Sequence, residues 1–110
     1  MGNQINYEIE FYKKVGDEKS PVDYYLDTIP EKHRQKAMAI MARLEEEGPN
    51  LKRPHADTLR GKIRELRCGF HNFEHRFLYF FWNKTIVITH GFLKKTRAVP
   101  GGEITSAEQA

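Results

Sequence analysis

The chain is 110 residues long, 39% hydrophobic and 30% charged, with a formal net charge of +3. That composition suits one globular domain, residues 1–110, with its own core, and it excludes a disordered chain. No apolar run approaches the roughly 20 residues that span a bilayer, residues 1–11 lack the apolar centre of a signal peptide, and the single cysteine, Cys68, rules out an internal disulfide, so the expectation is a cytoplasmic protein with no membrane attachment.

Charge is unevenly spread. Residues 1–49 hold 7 basic and 10 acidic side chains, whereas residues 50–97 hold 11 basic and 3 acidic. The second half therefore carries the concentrated positive field of a polyanion-binding surface, or of a solvated face rich in Lys and Arg.

In chain order, Ile5, Tyr7, Ile9 and Phe11 alternate with Asn6, Glu8 and Glu10, the period of a half-buried strand. Val15-Gly16-Asp17 begins a turn. Ser20-Pro21 starts a short helix, with Ser20 as N-cap and Pro21 at the first helical position. Pro30 ends it and opens a second helix, capped by Thr28 or Ile29, from about Glu31 to Glu47. Ala37, Ile40, Met41 and Leu44 form one core stripe on it, and Gly48-Pro49 stops it. Met38 and Met41 at this spacing fill gaps rather than mark a cofactor.

A loop from Pro49 to Thr58 follows, holding Lys52, Arg53, Pro54, His55 and Asp57. Three strands come next, Lys62 to Cys68, Phe73 to Trp82 and Thr85 to Phe92, joined by a loose turn over Gly69 to Asn72 and a tight one at Asn83-Lys84. The tail, about residues 98–110, reads as loosely ordered with at most a half-turn of helix. The order is an α+β fold: an N-terminal strand, two helices, then an antiparallel three-strand meander, with the helices packed on one face of the sheet.

Strand interiors normally exclude charge, so Arg64, Glu65, Arg67, Glu74, Arg76 and His90 ask for a reason. One is a functional cluster of cations with a carboxylate at an open end of the sheet. The other is a ladder of ion pairs in which Glu65 and Glu74 hold Arg67 and Arg76. Cys68, His71 and His75 have a zinc-like spacing, yet they lack a fourth ligand, so no metal is assigned. His71 and His75 read as solvent-exposed in a turn, or as contacts for RNA. Tyr79 with Phe80-Phe81-Trp82 reads as core, with a base-stacking platform as the alternative.

These residues carry a resemblance. Glu47-Gly48-Pro49 through Arg53-Pro54-His55, followed by Leu59-Arg60-Gly61-Lys62-Ile63-Arg64-Glu65-Leu66-Arg67, resembles the RelE/HigB superfamily of toxins of type II toxin–antitoxin systems. Arg76-Phe77-Leu78-Tyr79 looks like its arginine strand. Thr89-His90-Gly91-Phe92-Leu93-Lys94-Lys95-Thr96 looks like the closing motif of the phage-derived HigB branch. The resemblance implies a RelE-like fold and a ribosome-dependent mRNA endonuclease, or mRNA interferase, that inhibits translation. It also implies a helix-turn-helix antitoxin as partner, along with the ribosome and mRNA. Alternatives are a ParE-like gyrase inhibitor or a noncatalytic module that binds nucleic acid or an antitoxin.

The chemistry follows from the residue types. Metal-free RNA cleavage uses the neighbouring 2′-hydroxyl as nucleophile, so it needs no cofactor. Arginine suits the phosphate because its fork grips two oxygens and stays charged. Histidine suits proton transfer near neutral pH. The resemblance implies Arg67, Arg76, His90 and Lys95 as catalytic groups. Lys52, Arg53, Lys62, Arg64 and Lys94 are candidates for binding RNA. Glu65 and His55 are candidate bases, with orientation of Arg67 an alternative role for Glu65.

Overall fold

The structure is a computed structural model that describes residues 7–95 and 97–110. Its elements are β1 (Glu8–Phe11), α1 (Pro21–Thr28), α2 (Glu31–Glu47), a 3-10 turn (Gly48–Asn50), β2 (Ala56–Arg60), β3 (Ile63–Phe70), β4 (Phe73–Trp82), β5 (Thr85–Leu93) and α3 (Gly101–Glu108). Ile5 and Asn6 of the expected first strand, and Thr96, lie outside the described residues.

The apolar run of β4 takes the centre of one five-stranded sheet, ordered β1-β5-β4-β3-β2. β1 lies parallel to β5, and the other neighbours are antiparallel. α1 starts as expected, with the Ser20 Oγ accepting from the Asp23 amide at 3.0 Å. α2 starts instead from Pro30 without a side-chain cap, and it ends at Gly48, whose φ of 54° suits glycine. Among the described residues no helix is long and apolar enough to cross a membrane.

Two apolar clusters sandwich the sheet. On one face, Val22 and Leu26 of α1 and Ala37, Ile40, Met41 and Leu44 of α2 pack on Leu66, Cys68, Phe77, Tyr79, Ile86 and Ile88. On the other face, Ile104 and Ala107 of α3 pack with Ile63, Leu78 and Phe80. The two expected helices, α1 and α2, therefore lie on one face as expected, and α3, formed by the tail that reads as loosely ordered, covers part of the other. The tail is a two-turn helix, tied down by Arg60, which donates to Glu108 at 2.8 Å and to the Thr105 hydroxyl at 3.1 Å. β2 likewise replaces part of the expected loop, because its backbone pairs with β3.

A bulge in β5 decides which face its later residues serve. Ile88 pairs with Tyr79 and His90 with Leu78, so Thr89 is the extra residue. The shift carries His90 and Phe92 to the α3 face and turns Gly91 toward the helices. A Cβ on Gly91 would lie 2.6 Å from the Phe77 ring and 2.9 Å from that of Tyr25. Only glycine lets α1 come this close. In the aromatic run, Tyr79 and Phe80 are core and Phe81 is partly buried, whereas Trp82 is 65% exposed.

Candidate active site: an arginine pair on the open end of the sheet

α3 covers only one end of its face. At the other end the strand register lines up charged residues, since directly opposed residues point the same way. Asp57 lies opposite Glu65, Arg67 opposite Arg76, Arg76 opposite Phe92, and Gly69 opposite Glu74. His55 comes alongside, because its carbonyl accepts from the Arg67 amide at 2.7 Å.

Glu65 is the centre of this group, only 3% exposed. Its Oε2 accepts from Nε and a terminal nitrogen of Arg67 at 3.1 and 3.0 Å. Its Oε1 lies 3.0 Å from Arg76 Nε, an ion pair set off the N–H axis, so neither atom has an aligned hydrogen bond. Arg76, 5% exposed, also donates from NH1 to Glu74 Oε1 at 3.1 Å and to the His75 carbonyl at 3.2 Å. Arg67 reaches Asp57 at 3.5 Å, and Arg53 grips the same Asp57 oxygen at 3.0 and 2.7 Å. The Arg53 hydrogen bonds, the Thr58 amide and the charge of Arg67 hold the Asp57 carboxyl below its usual range. Burying an arginine costs several kcal/mol unless a carboxylate compensates it, and Glu65 compensates Arg76 while orienting Arg67. The ion-pair ladder is therefore present, and it borders open space. A cleft of about 360 Å³ is lined by Lys36, His55, Arg67, Glu74 and Arg76.

The other sequence candidates divide around this cleft. Lys52, Arg53 and Arg64 line a neighbouring cleft of about 400 Å³. Arg64 points to the helix side, donating to the Tyr79 hydroxyl at 3.2 Å and the Thr58 hydroxyl at 3.0 Å. Lys62 stands over the Phe80 ring at 4.5 Å. The Lys94 amide donates to the Glu74 carbonyl at 2.8 Å, and Lys95 is exposed just beyond β5. His90 shares the face of Arg76 but is bound to α3. Its Nε2 meets Glu103 at 2.9 Å and its Nδ1 meets the Thr89 hydroxyl at 3.0 Å. His55, by contrast, has no side-chain hydrogen bond among the described residues, and it opens on the arginine cleft.

The sequence reading missed a second cluster, on the helix side. His75 is 3% exposed, not in an exposed turn, and its Nδ1 meets the Tyr25 hydroxyl at 2.5 Å. Its Nε2 meets Nδ1 of His33, which is 7% exposed, at 2.9 Å. Burial first, and then the neighbouring His33, lowers the His75 pKa, with Glu74 opposing. Burial pushes the Tyr25 hydroxyl up to about 12 and the Cys68 thiol up to about 12. A signal for His33 was available: it sits four residues before Ala37, at the start of the core stripe of α2. His71 stays at the hairpin tip, exposed, with φ 54°. Among the described residues no three His, Cys, Asp or Glu side chains gather as a metal-ligand set.

Known proteins bear on this geometry. Two solved complexes share the fold. The toxin–antitoxin complex RelBE2 from Mycobacterium tuberculosis matches with a TM-score of 0.59 and 17% identity, over 82% of this chain and 100% of that one. The archaeal RelE–RelB complex from Pyrococcus horikoshii OT3 matches with a TM-score of 0.56 and 18% identity, over 84% of this chain and 99% of that one. Among proteins of curated function no match is found. The model of the family described as phage-derived protein Gp49-like matches residues 24–110, which take in both helical layers, the arginine pair and α3. The chain therefore belongs to the phage-derived Gp49-like family, with the fold of the RelE toxins.

Proposed function

We propose that this protein is the toxin of a RelE-type toxin–antitoxin pair and acts as a metal-independent endoribonuclease on translated mRNA. The observation that carries this reading is the pair of guanidiniums, Arg67 and Arg76, set side by side by one buried carboxylate and facing a cleft that also holds His55.

In the reaction the 2′-oxygen attacks the adjacent phosphorus and loses its proton. The bond from phosphorus to the 5′-oxygen breaks, and that oxygen takes up a proton. The products are a 2′,3′-cyclic phosphate and a 5′-hydroxyl. Arg76 and Arg67 supply charge to the phosphate as its oxygens gain negative charge, the term that contributes most to such catalysis. Glu65 holds the two guanidiniums in place, with one oxygen turned to each. His55 is the proton carrier, because it lines the cleft and its ring has no side-chain hydrogen bond among the described residues. His90 fastens α3. Lys94 and Lys95, beyond the end of β5, and Lys52 and Arg53, beside the cleft, guide the RNA backbone with a steep dependence on salt.

Free RNA is a poor substrate in this scheme. The cleft is open, so the ribosome supplies the positioning of the message, which is worth several kcal/mol of barrier. Rapid cleavage of naked RNA at physiological salt overturns that part. An antitoxin of complementary charge covers the basic end of the sheet in the cytoplasm. Charge reversal at Lys94 and Lys95 then weakens antitoxin binding together with the salt dependence of its association rate. The deciding experiment is induction in a host cell with mapping of mRNA 5′ ends. Cuts inside translated codons are expected, and growth arrest without such cuts refutes the nuclease.

A further inference from the structure

Glu74 stands where a substrate phosphate has to go. Its Oε1 accepts from Arg76 NH1 at 3.1 Å, its side chain lines the same cleft as Arg67 and His55, and it is half exposed, so it can swing into solvent. The fold makes room for it there. The opposed residue is Gly69, and a Cβ at that position would lie 3.2 Å from Glu74 Oε2. Its backbone is pinned by the bond from the Lys94 amide. Glu65, the other partner of Arg76, is buried and cannot leave. Arg76 NH2 makes no hydrogen bond among the described residues, so a phosphate that displaces Glu74 can meet NH1 and NH2 as a fork.

We propose that Glu74 is a built-in carboxylate competitor for the phosphate seat of Arg76, and that it sets the substrate class of the site. A lone anion has to expel Glu74 with a single contact. A polynucleotide, held at the same time by Arg67 and the flanking lysines and arginines, expels it at little loss, and a ribosome-held message does so most readily. This rests on the reading of the cleft as a phosphate site. Glu74 acts here through Arg76 and is a positioning residue, not a proton donor.

The test uses the full chain, with Glu74→Gln and Glu74→Asp. An RNA oligomer carrying 2′-fluoro groups, which lacks the nucleophile, is titrated by fluorescence anisotropy. The same sequence as ordinary RNA, held as message on ribosomes, gives KM and kcat. Removal of an exposed competing carboxylate is expected to tighten binding by roughly 3- to 10-fold in Glu74→Gln, with KM falling in parallel. Glu74→Asp keeps the charge but shortens the reach to Arg76, and it is expected to bind more tightly than the parent chain as well. Unaltered or weaker binding in Glu74→Gln overturns the proposal. So does tightening in Glu74→Gln alone, which reports only net charge, and so does loss of kcat at equal affinity, which marks a proton-transfer role. The binding arm is independent of cleavage. Tighter binding in both variants, with no cleavage by any chain even on ribosomes, supports the competitor and refutes the nuclease reading instead.

Discussion

His75 and Arg76 are consecutive residues of β4, equally buried at 3% and 5% exposed, and they obey opposite rules. His75 faces the helices, is held by the Tyr25 hydroxyl and the His33 ring, and is favoured as the uncharged form by its burial first and then by His33. Arg76 faces the end of the sheet that α3 leaves open and is permanently charged, so the fold supplies a buried carboxylate to keep it there. A core built for stability alone would fill that place with an apolar pair, which is often neutral or better in stability. Stability alone gives no reason for a buried charge that borders a cleft, which is what the proposed function accounts for, whereas a buried uncharged ring under helices is the mark of architecture.

The largest effect expected to sharpen this contrast is at Arg76. If the proposed function holds, Arg76→Ala is expected to lower cleavage about 10²- to 10³-fold, the loss for one well-placed charge donor. It also leaves the buried Glu65 with Arg67 as its one remaining cation, at a cost of about 1–3 kcal/mol in stability. Arg76→Ala combined with Glu65→Gln removes the half-compensated carboxylate but also takes the partner of Arg67, so it is expected to recover part of the stability at most and none of the growth arrest. Arg76→Lys rescues activity poorly, because lysine lacks the fork. Denaturant melts beside growth assays separate the two losses. Full toxicity in a folded Arg76→Ala chain would reduce the cleft to an ion-pair ladder.

The two histidines near the cleft come next. His55→Ala is expected to slow cleavage by about 10²-fold, the lower range for loss of a general acid or base, with little change in melting. His90→Ala is expected to do the reverse. It releases Glu103, costs about 1 kcal/mol in stability and alters cleavage only slightly. A single-turnover assay that finds the larger loss at His90 would return proton transfer to β5.

Gly91→Ala probes the helix side. The added methyl would meet the Phe77 and Tyr25 rings inside normal contact distance, so a loss of about 1–3 kcal/mol is expected from overpacking. Because Tyr25 is one of the two partners of His75, the variant is also expected to loosen that cluster, seen as faster hydrogen exchange at the α1 amides. A chain that melts like the parent would mean that α1 is not seated tightly on β5.

The sequence made some of this legible and hid the rest for physical reasons. α2 and β4 were readable to the residue, because a clean helical stripe and a long aromatic run with turns at both ends leave little choice. β2 was not, since Ala-Asp-Thr-Leu-Arg has one large apolar residue and becomes a strand only by pairing with β3. α3 begins with two glycines and exists because Ile104 and Ala107 find an apolar seat on the sheet. Arg67 and Arg76 came from the resemblance, Glu65 and His55 as candidate bases beside it, and the structure brings the four side chains together. The bulge at Thr89 carries His90 to the α3 face, and no local pattern announced that shift in phase. Lys36 reaches the cleft from α2, an approach that only the packed fold reveals.

The smallest expected effect is in pH, and it tests the neutral side of the comparison directly. Burial, and then His33, lowers the folded-state pKa of His75 below the ordinary 6.5. Below 6.5 the unfolded chain therefore binds a proton at this position that the folded chain refuses. Linkage then requires stability to fall as pH drops through 6.5, and to level off once the folded pKa is passed. The groups around the ring are Tyr25, His33, Cys68 and Glu74. The Tyr25 hydroxyl and the Cys68 thiol sit near 12, so neither titrates in this window. Glu74 opposes the shift, so Glu74→Gln is expected to deepen the fall, which links the two sides of β4 through one carboxylate. His75→Leu is expected to lower stability at neutral pH, by orphaning the Tyr25 hydroxyl, and to flatten the slope just below 6.5. Melting temperatures across that range decide the matter. A slope that survives His75→Leu unchanged would show that the buried imidazole is charged when folded, and the division between a charged face and a neutral one would fall with it.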